Sequence, residues 1–313
     1  MSRRPGKAVE GALATRTSWA IAAVIVAGVI LRLLVAGSVG FPSDVGTFMA
    51  WAERLASVGP GRFYAPGYFS DYPPGFLYVL WLLGALFDGE ALRLAVKTIS
   101  IPADVGIALL AAALVRRHAG DAAAIAAAAL WMLQPAPIFA GPYWGQVDAV
   151  GTLPFLGALL AAGRRRWALA GVLAATATIT KPQFALVLGV VTVAAAFEFI
   201  REAEWRPALQ AVGAAALTLI VLAWPFGLTP AAAMELVRGA AETYQYTSLY
   251  AFNVWAVVAD FWKPDDPYVV FGAVLLVGGL VASVVPLWWR RDTPALLAAA
   301  GATVMAFYFL PTR

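Results

Sequence analysis

Residues 41–81 read FPSDVGTFMAWAERLASVGPGRFYAPGYFSDYPPGFLYVLW, and they are neither a clean membrane span nor a short connection. Within this stretch, residues 44–58 carry apolar side chains at helical spacing and polar side chains on the opposite face. An amphipathic helix between hydrophobic spans is expected to lie along the membrane surface. After several Gly-Pro turns comes Asp71-Tyr72-Pro73-Pro74-Gly75, followed by a short apolar run that ends near Phe87. We therefore predict two interfacial helices, joined by a proline-rich elbow, in a long outer loop over residues 40–92.

Composition indicates an all-α polytopic membrane protein. The chain has 313 residues, of which 62% are hydrophobic and 13% charged, and its mean hydropathy is +0.78. We expect residues 1–313 to form a single integral membrane domain with about nine transmembrane helices. The predicted spans are Trp19–Val39, Arg93–Val115, Ala122–Ala140, Ala149–Ala162, Trp167–Thr180, Phe184–Ile200, Ala208–Trp224, Tyr268–Trp289 and Pro294–Leu310. The sequence contains no cysteine, which excludes disulfides, thiol chemistry and zinc-thiolate sites.

The distribution of charge predicts the orientation of the chain. Its net charge is +4, and the basic residues cluster in loops that separate alternate pairs of spans, which is the positive-inside pattern. The N-terminus is then cytoplasmic, and residues 40–92 lie outside the inner (plasma) membrane. Residues 75–87 are too short to cross comfortably, and a crossing there would reverse the side of every later loop. The basic residues are therefore explained by topology, and no nucleic-acid partner is expected.

Polar residues gather in the predicted outer loops and at the outer ends of spans. The candidate site residues are Asp44, Asp71, Tyr72, Gln146, Asp148, Lys181, Gln183 and Arg313. A carboxylate at the start of a surface helix can accept a proton from a hydroxyl group. A lysine beside a helix break, as in Thr180-Lys181-Pro182-Gln183, can contact a phosphate. We therefore interpret the loop at residues 40–92 as a catalytic platform with Asp44 as the candidate base.

Several of these residues also have structural interpretations. Asp44 follows Ser43 at a helix start, where acids commonly cap free N–H groups. Asp71 can simply open a turn, and polar residues such as Asp148 are common at the outer end of a span. Lys181 can extend its ammonium group to the interface without binding anything. From the residues alone these alternatives stay open.

Two ionisable residues, Arg32 and Asp104, lie inside predicted spans at similar distances from the outer surface. A single charge at the centre of a bilayer costs about 2.5–3.5 kcal/mol on insertion scales. We predict that these two side chains form a buried structural ion pair between the first two spans.

The order of the motifs resembles a known group of enzymes. The motifs are Ser43-Asp44, Asp71-Tyr72-Pro73-Pro74-Gly75, Trp144-Gly145-Gln146-Val147-Asp148 and Thr180-Lys181-Pro182-Gln183. Together they resemble the bacterial, mannosyltransferase-like, polyprenyl-phosphate-sugar-dependent glycosyltransferases of the GT-C superfamily, and the resemblance covers nearly the whole chain. It implies an inverting, single-displacement transfer of a hexose, with mannose favoured, in which Asp44 is the base. It also implies that the other candidate residues lie near the sugar, the acceptor or the lipid phosphate.

The same resemblance sets the expected partners. They are a polyprenyl-phosphate-linked sugar donor, an acceptor that is a glycan, a glycolipid or a protein, and the lipid bilayer. No cofactor and no metal site are expected. Relatives often continue beyond the Pro311-Thr312-Arg313 ending into further spans, so we expect either a C-terminally truncated chain or a branch that ends early.

Two other classes of protein fit a polytopic chain. A transporter should show internal repeats and intramembrane acids along a path, whereas here the polar residues gather on one face. A non-catalytic assembly protein needs no cluster of outer acids beside a surface platform. Both readings are retained as alternatives to the glycosyltransferase.

Overall fold

The computed structural model describes residues 7–249 and 253–311. In these two ranges the chain is a series of helices joined by turns and loops, with one isolated β-bridge between Tyr246 and Pro264. The structure therefore confirms the all-α membrane class. Five of the described helical stretches are long and apolar enough to cross a membrane, namely Thr15–Ala36, Gly89–Tyr143, Pro182–Glu202, Trp205–Phe226 and Asp266–Trp288. Four shorter apolar helices have 13 to 16 residues, and the count of nine spans stays a prediction.

The helices follow one another closely along the chain. The first seven are α1 (Lys7–Ala36), α2 (Pro42–Val58), α3 (Pro74–Leu86), α4 (Gly89–Thr98), α5 (Ser100–Leu133), α6 (Pro135–Ile138) and α7 (Asp148–Gly163). The next seven are α8 (Trp167–Thr180), α9 (Ala185–Glu202), α10 (Trp205–Ala223), α11 (Pro230–Thr243), α12 (Val254–Val258), α13 (Asp266–Val284) and α14 (Thr293–Phe307). Helices α2 and α3 occupy the positions of the two helices predicted in the outer loop.

The chain divides into two compact units. The first unit comprises residues 1–57 and 80–153, and the second comprises residues 58–79 and 154–313. The chain passes from one unit to the other near the end of α2, within α3 and within α7.

The first unit is built on the packing of α1 against α5 around a buried ion pair. Arg32 Nε lies 2.9 Å from Asp104 Oδ2, and both side chains are at most 1% exposed. Trp131 Nε1 donates to the other carboxylate oxygen of Asp104 at 3.0 Å, and Arg32 also donates to the Met132 carbonyl. The predicted pairing of Arg32 with Asp104 is therefore confirmed. Gly120, at φ 80°, interrupts α5 and ends its first half.

The second unit packs α8, α9 and α10 through small side chains. Its core is rich in alanine and valine, including Ala170, Ala174 and Val190. A Cβ atom at Gly171 in α8 would overlap the Ala211 carbonyl oxygen of α10. Small residues at a helix interface let two backbones approach closely. Such packing stabilises helix association in membranes, because lipid tails are as apolar as the side chains and the hydrophobic effect contributes little.

An ionic cluster ties three segments of the second unit together. Glu198, which is 2% exposed, lies 2.8 Å from Arg165 Nη2 and 2.9 Å from Arg291 Nε. Glu202 and Glu204 also contact these guanidinium groups. The two arginines come from basic segments that the charge pattern predicts to be cytoplasmic, and in the structure they pair with a carboxylate of α9.

We expect the Arg32–Asp104 pair to show strong energetic coupling. Asp104→Asn leaves a buried guanidinium without its counter-charge and should cost about 3–5 kcal/mol of stability. Adding Arg32→Gln should cost little more, which a double-mutant cycle on thermal unfolding measures. The exposed pair Glu235–Arg238 serves as a control, since its loss should cost about 1 kcal/mol or less. Fully additive losses at Arg32 and Asp104 would contradict the coupling.

The predicted orientation is testable because the chain has no cysteine of its own. A single cysteine at exposed Asp88, after α3, should react with an impermeant thiol reagent applied to the outer face, and one at exposed Arg164 should not. If α3 crossed the membrane, both positions would change sides. Protection of position 88 together with labelling of position 164 would therefore overturn the interfacial assignment of α3.

Candidate active site

Asp44 lies in the first turn of α2, where the helix dipole stabilises a carboxylate. One of its oxygens, Oδ2, accepts two hydrogen bonds, from Trp144 Nε1 at 2.6 Å and from Gln146 Nε2 at 2.7 Å. The other oxygen, Oδ1, lies 3.3 Å from the Ser43 hydroxyl. The structure thus brings together two predicted site residues, Asp44 and Gln146, that are 102 positions apart. The two donors fix the carboxylate through a single oxygen.

An unusual backbone turn aims the two donors at Asp44. Phe139–Tyr143 form a π-helical turn, a geometry that is rare and frequently found at functional sites. Gly145 follows at φ +95°, and a Cβ atom there would lie 2.7 Å from Val45 Cγ2. The Trp144 indole stacks on Phe41, with ring centroids 4.3 Å apart and planes 17° apart. The glycine and the stack together hold the indole N–H toward the carboxylate.

Lys97, in α4, is a residue that the sequence analysis missed. Its side chain is fully buried, and its ammonium group donates to the Ser38 carbonyl just before α2. A Cβ atom at Gly40 would overlap the Tyr143 carbonyl and would lie 3.0 Å from Lys97 Nζ. Lys97 therefore fixes the segment before Asp44, close to the segment that carries Trp144 and Gln146. The available signal was a lysine inside a predicted span, where a charge is costly unless it has a partner.

Asp148 begins α7, and its backbone carbonyl accepts the Thr152 hydroxyl at 2.8 Å. Asp148 and Gln146 line a cavity of about 290 Å³ within the first unit. The predicted residues of this unit therefore form one neighbourhood, in which Gln146 contacts both the Asp44 carboxylate and the cavity.

The second unit gathers a second set of predicted residues around a larger cavity. Asp71, Tyr72, Lys181 and Gln183 line a space of about 750 Å³. Lys181 Nζ lies 5.7 Å from the centroid of the Tyr72 ring, a cation–π distance. Tyr244, which is not among the predicted site residues, directs its hydroxyl at Asp71 Oδ2 at 3.4 Å. The signal for Tyr244 was weak, because aromatic residues are common at membrane interfaces.

The walls of the larger cavity change from polar to apolar along α9. Lys181 lies at the extended break between α8 and α9, and Pro182 opens the 3-10 turn that follows. Farther along α9, the cavity is lined by Leu186, Val190 and Val193, and α13 and α14 add further apolar side chains. At 1.5 Å of rise per residue, the apolar lining extends more than ~10 Å from the lysine. The cavity is therefore suited to a long apolar ligand with a polar head.

The Asp71-Tyr72-Pro73-Pro74-Gly75 motif is fixed by two contacts within the second unit. The Tyr64 hydroxyl donates to the Tyr72 carbonyl at 2.7 Å, and burial raises the pKa of Tyr64 far above its usual value. A Cβ atom at Gly75 would lie 2.5 Å from the Ile179 carbonyl oxygen. The glycine therefore permits close approach of α3 to the end of α8, two residues before Lys181. This approach explains why two motifs far apart in sequence meet at one cavity.

Seven of the eight predicted site residues thus lie in two local groups. Asp44, Gln146 and Asp148 belong to the first unit, whereas Asp71, Tyr72, Lys181 and Gln183 belong to the second. Arg313 lies outside the described residues.

Comparison with known proteins identifies the family. A family model for glycosyltransferase family 87 matches residues 69–311, more than three quarters of the chain. The matched range contains the Asp71, Trp144–Asp148 and Lys181 motifs and begins after Asp44. A comparison with curated proteins gave no match. The chain therefore belongs to glycosyltransferase family 87, a family of membrane glycosyltransferases of the GT-C type.

Proposed function

We propose that the chain is an inverting glycosyltransferase that moves a hexose, with mannose favoured, from a polyprenyl-phosphate donor to an acceptor hydroxyl at the outer face of the membrane. Membership of glycosyltransferase family 87 supports glycosyl transfer as the reaction. The observation that carries the finer proposal is the asymmetric anchoring of Asp44. Its Oδ2 atom accepts both N–H hydrogen bonds, while Oδ1 has only a long contact with the Ser43 hydroxyl among the described residues. Oδ1 is the oxygen that we assign to the acceptor proton.

The proposed reaction is a single displacement. The acceptor hydroxyl gives its proton to Asp44 Oδ1 as its oxygen forms a bond to the anomeric carbon of the sugar. The bond between that carbon and the phosphate oxygen breaks, and its electron pair leaves with the lipid phosphate. General-base assistance of this kind contributes about 10²–10⁴ in rate. Trp144 and Gln146 act by positioning, because both donate to Asp44 Oδ2 and leave Oδ1 for the acceptor proton.

The donor is assigned to the larger cavity of the second unit. Its apolar walls suit a polyprenyl chain, and Lys181 at the polar end suits the phosphate. Negative charge grows on the phosphate as the glycosidic bond breaks, so a nearby ammonium group stabilises the transition state. Asp71 and Gln183 supply oxygen and amide groups for sugar hydroxyls, and Tyr244 orients Asp71. Arg313 is proposed as a further phosphate contact from the sequence resemblance alone.

A donor screen tests the proposal directly. Purified protein in lipid nanodiscs is incubated with polyprenyl-phosphate-linked mannose, glucose or arabinose, each labelled in the sugar, together with octyl hexosides as acceptors. We expect release of polyprenyl phosphate and label in the acceptor, with mannose as the best donor. The proposed function would be wrong if no donor released lipid phosphate from protein that remains folded by thermal unfolding.

Loss of the lysine at the cavity should affect donor binding and turnover together. Lys181→Ala removes a charge-assisted contact to phosphate and should lower kcat/KM for the donor by about 10- to 100-fold. Lys181→Arg keeps the charge and should recover part of the loss. Lys263→Ala is the matched control, because Lys263 is an exposed lysine of the same unit that does not line the cavity. An unchanged kcat/KM in Lys181→Ala would contradict the assignment of Lys181 to the donor site.

A further inference from the structure

Lys97, in α4, carries a buried charge for which packing alone gives no reason. Its side chain is fully buried, and its ammonium group donates to the Ser38 carbonyl. Among the residues that the structure describes, no carboxylate lies at ion-pair distance from this ammonium group. Burial of a charge without a counter-charge is costly, and an apolar side chain of similar length would fill the same space at lower cost. The position therefore indicates a role for the ammonium group itself.

The Ser38 carbonyl accepts hydrogen bonds from two cationic side chains of α4. Lys97 Nζ lies 2.5 Å from the carbonyl oxygen, and Arg93 Nη1 lies 3.1 Å from it. Arg93 is itself held by two hydrogen bonds to the Glu90 carboxylate, at 2.6 and 2.7 Å. Ser38 follows the C-terminal end of α1, where the helix dipole is negative and cations are favourable. The two donors therefore fix the point at which the chain leaves α1.

The link between this point and the candidate base is short. Asp44 lies in the first turn of α2, six positions after Ser38. Gly40, within the link, has φ +66°, and a Cβ atom there would overlap the Tyr143 carbonyl and lie 3.0 Å from Lys97 Nζ. The link is thus confined on one side by the lysine and on another by the backbone of the π-helical turn. A shift of the Ser38 carbonyl would consequently move the start of α2 and the carboxylate that it carries.

The methylene stem of Lys97 lies beside the turn that carries the two donors to Asp44. A Cβ atom at Gly145 would lie 3.9 Å from Lys97 Cγ. Gly145 separates Trp144 from Gln146, whose side chains donate to Asp44 Oδ2 at 2.6 and 2.7 Å. The same lysine therefore lies next to both parts of the arrangement. Its ammonium group fixes the backbone before the carboxylate, and its stem packs near the turn that supplies the donors.

We propose that Lys97 is a positioning residue for glycosyl transfer, which holds the Asp44 carboxylate in the direction that proton transfer requires. The inference rests on the proposed function, in which Asp44 Oδ1 takes the proton of the acceptor hydroxyl. Because Lys97 is fully buried, it acts through the Ser38 carbonyl and the neighbouring turn. Misdirection of the carboxylate slows the chemical step, because the rate depends steeply on the alignment of the reacting groups. It leaves donor binding unchanged, since the groups assigned to the donor are other residues.

A double-mutant cycle on the rate tests whether Lys97 acts through Asp44. Lys97→Met keeps the length of the side chain and removes the ammonium group. We expect the single-turnover rate of lipid phosphate release, at saturating donor and acceptor, to fall about 10- to 100-fold, with the donor KM within about twofold of wild type. In an Asp44→Asn background the same change should alter the rate by about twofold or less, because the base is already absent. Arg116→Met, which removes an exposed cation of the same unit, should behave as wild type.

A second readout separates this inference from the proposed function. Amide hydrogen exchange, measured by mass spectrometry, reports how firmly the link is held without any turnover. Peptides that cover residues 37–45 should exchange about tenfold faster or more in Lys97→Met, because a hydrogen bond to a charged group is lost, while peptides from the second unit should be unchanged. This result would support the fixing of the link even if wild-type protein released no lipid phosphate and the proposed function failed.

A further variant keeps the test decisive if Lys97→Met does not fold. Arg93→Met removes the other donor to the Ser38 carbonyl from a side chain that is 22% exposed. It should lower the rate by roughly 3- to 10-fold, again only when Asp44 is present. A rate within twofold of wild type in the folded variant, an equal loss of rate in the Asp44→Asn background, or unchanged exchange at residues 37–45 would overturn the inference.

Discussion

The hydrogen bonds from Trp144 and Gln146 to one oxygen of Asp44 are the contacts on which the role proposed for this carboxylate depends. They join the start of α2 to a turn about 100 residues later, so they need both backbones to be fixed. Gly145 allows the turn to pass close to Val45, and buried Lys97 holds the segment before α2. A carboxylate fixed through one oxygen keeps a defined direction for the other, which is the geometry required of a general base. The π-helical turn is therefore explained by the donors that it presents.

In the interior of both units, charges are found with partners. Arg32 and Asp104 pair in the first unit, and Glu198 is held between Arg165 and Arg291 in the second. Transfer of an unpaired charge to lipid is costly, so such groups persist where packing supplies a counter-charge. The two cavities differ in their linings. The larger one combines long apolar walls with a lysine at one end, and the smaller one is lined by amide, hydroxyl and carboxylate groups.

Local pattern was sufficient to predict part of this arrangement. The spacing of Val45, Phe48 and Leu55 predicted α2, and all three are buried; the two isolated charges predicted the Arg32–Asp104 pair. The family assignment confirms the resemblance carried by the motif order. The contacts of Lys97, the indole of Trp144 and the hydroxyl of Tyr244 were not predictable, because each depends on tertiary packing between distant segments. Helices of 13 to 16 residues are likewise short for a perpendicular span, which is why length alone does not give the number of crossings.

The role of Asp44 is tested most directly by a single-turnover measurement of lipid phosphate release at saturating donor and acceptor. Asp44→Asn keeps the size of the side chain but removes the base. We predict a rate about 10²–10⁴-fold below wild type, with donor affinity within about twofold of wild type. Release at nearly the wild-type rate from a folded Asp44→Asn protein with normal donor affinity would contradict it, and Asp71 or Asp148 would then be the carboxylate to examine as the base.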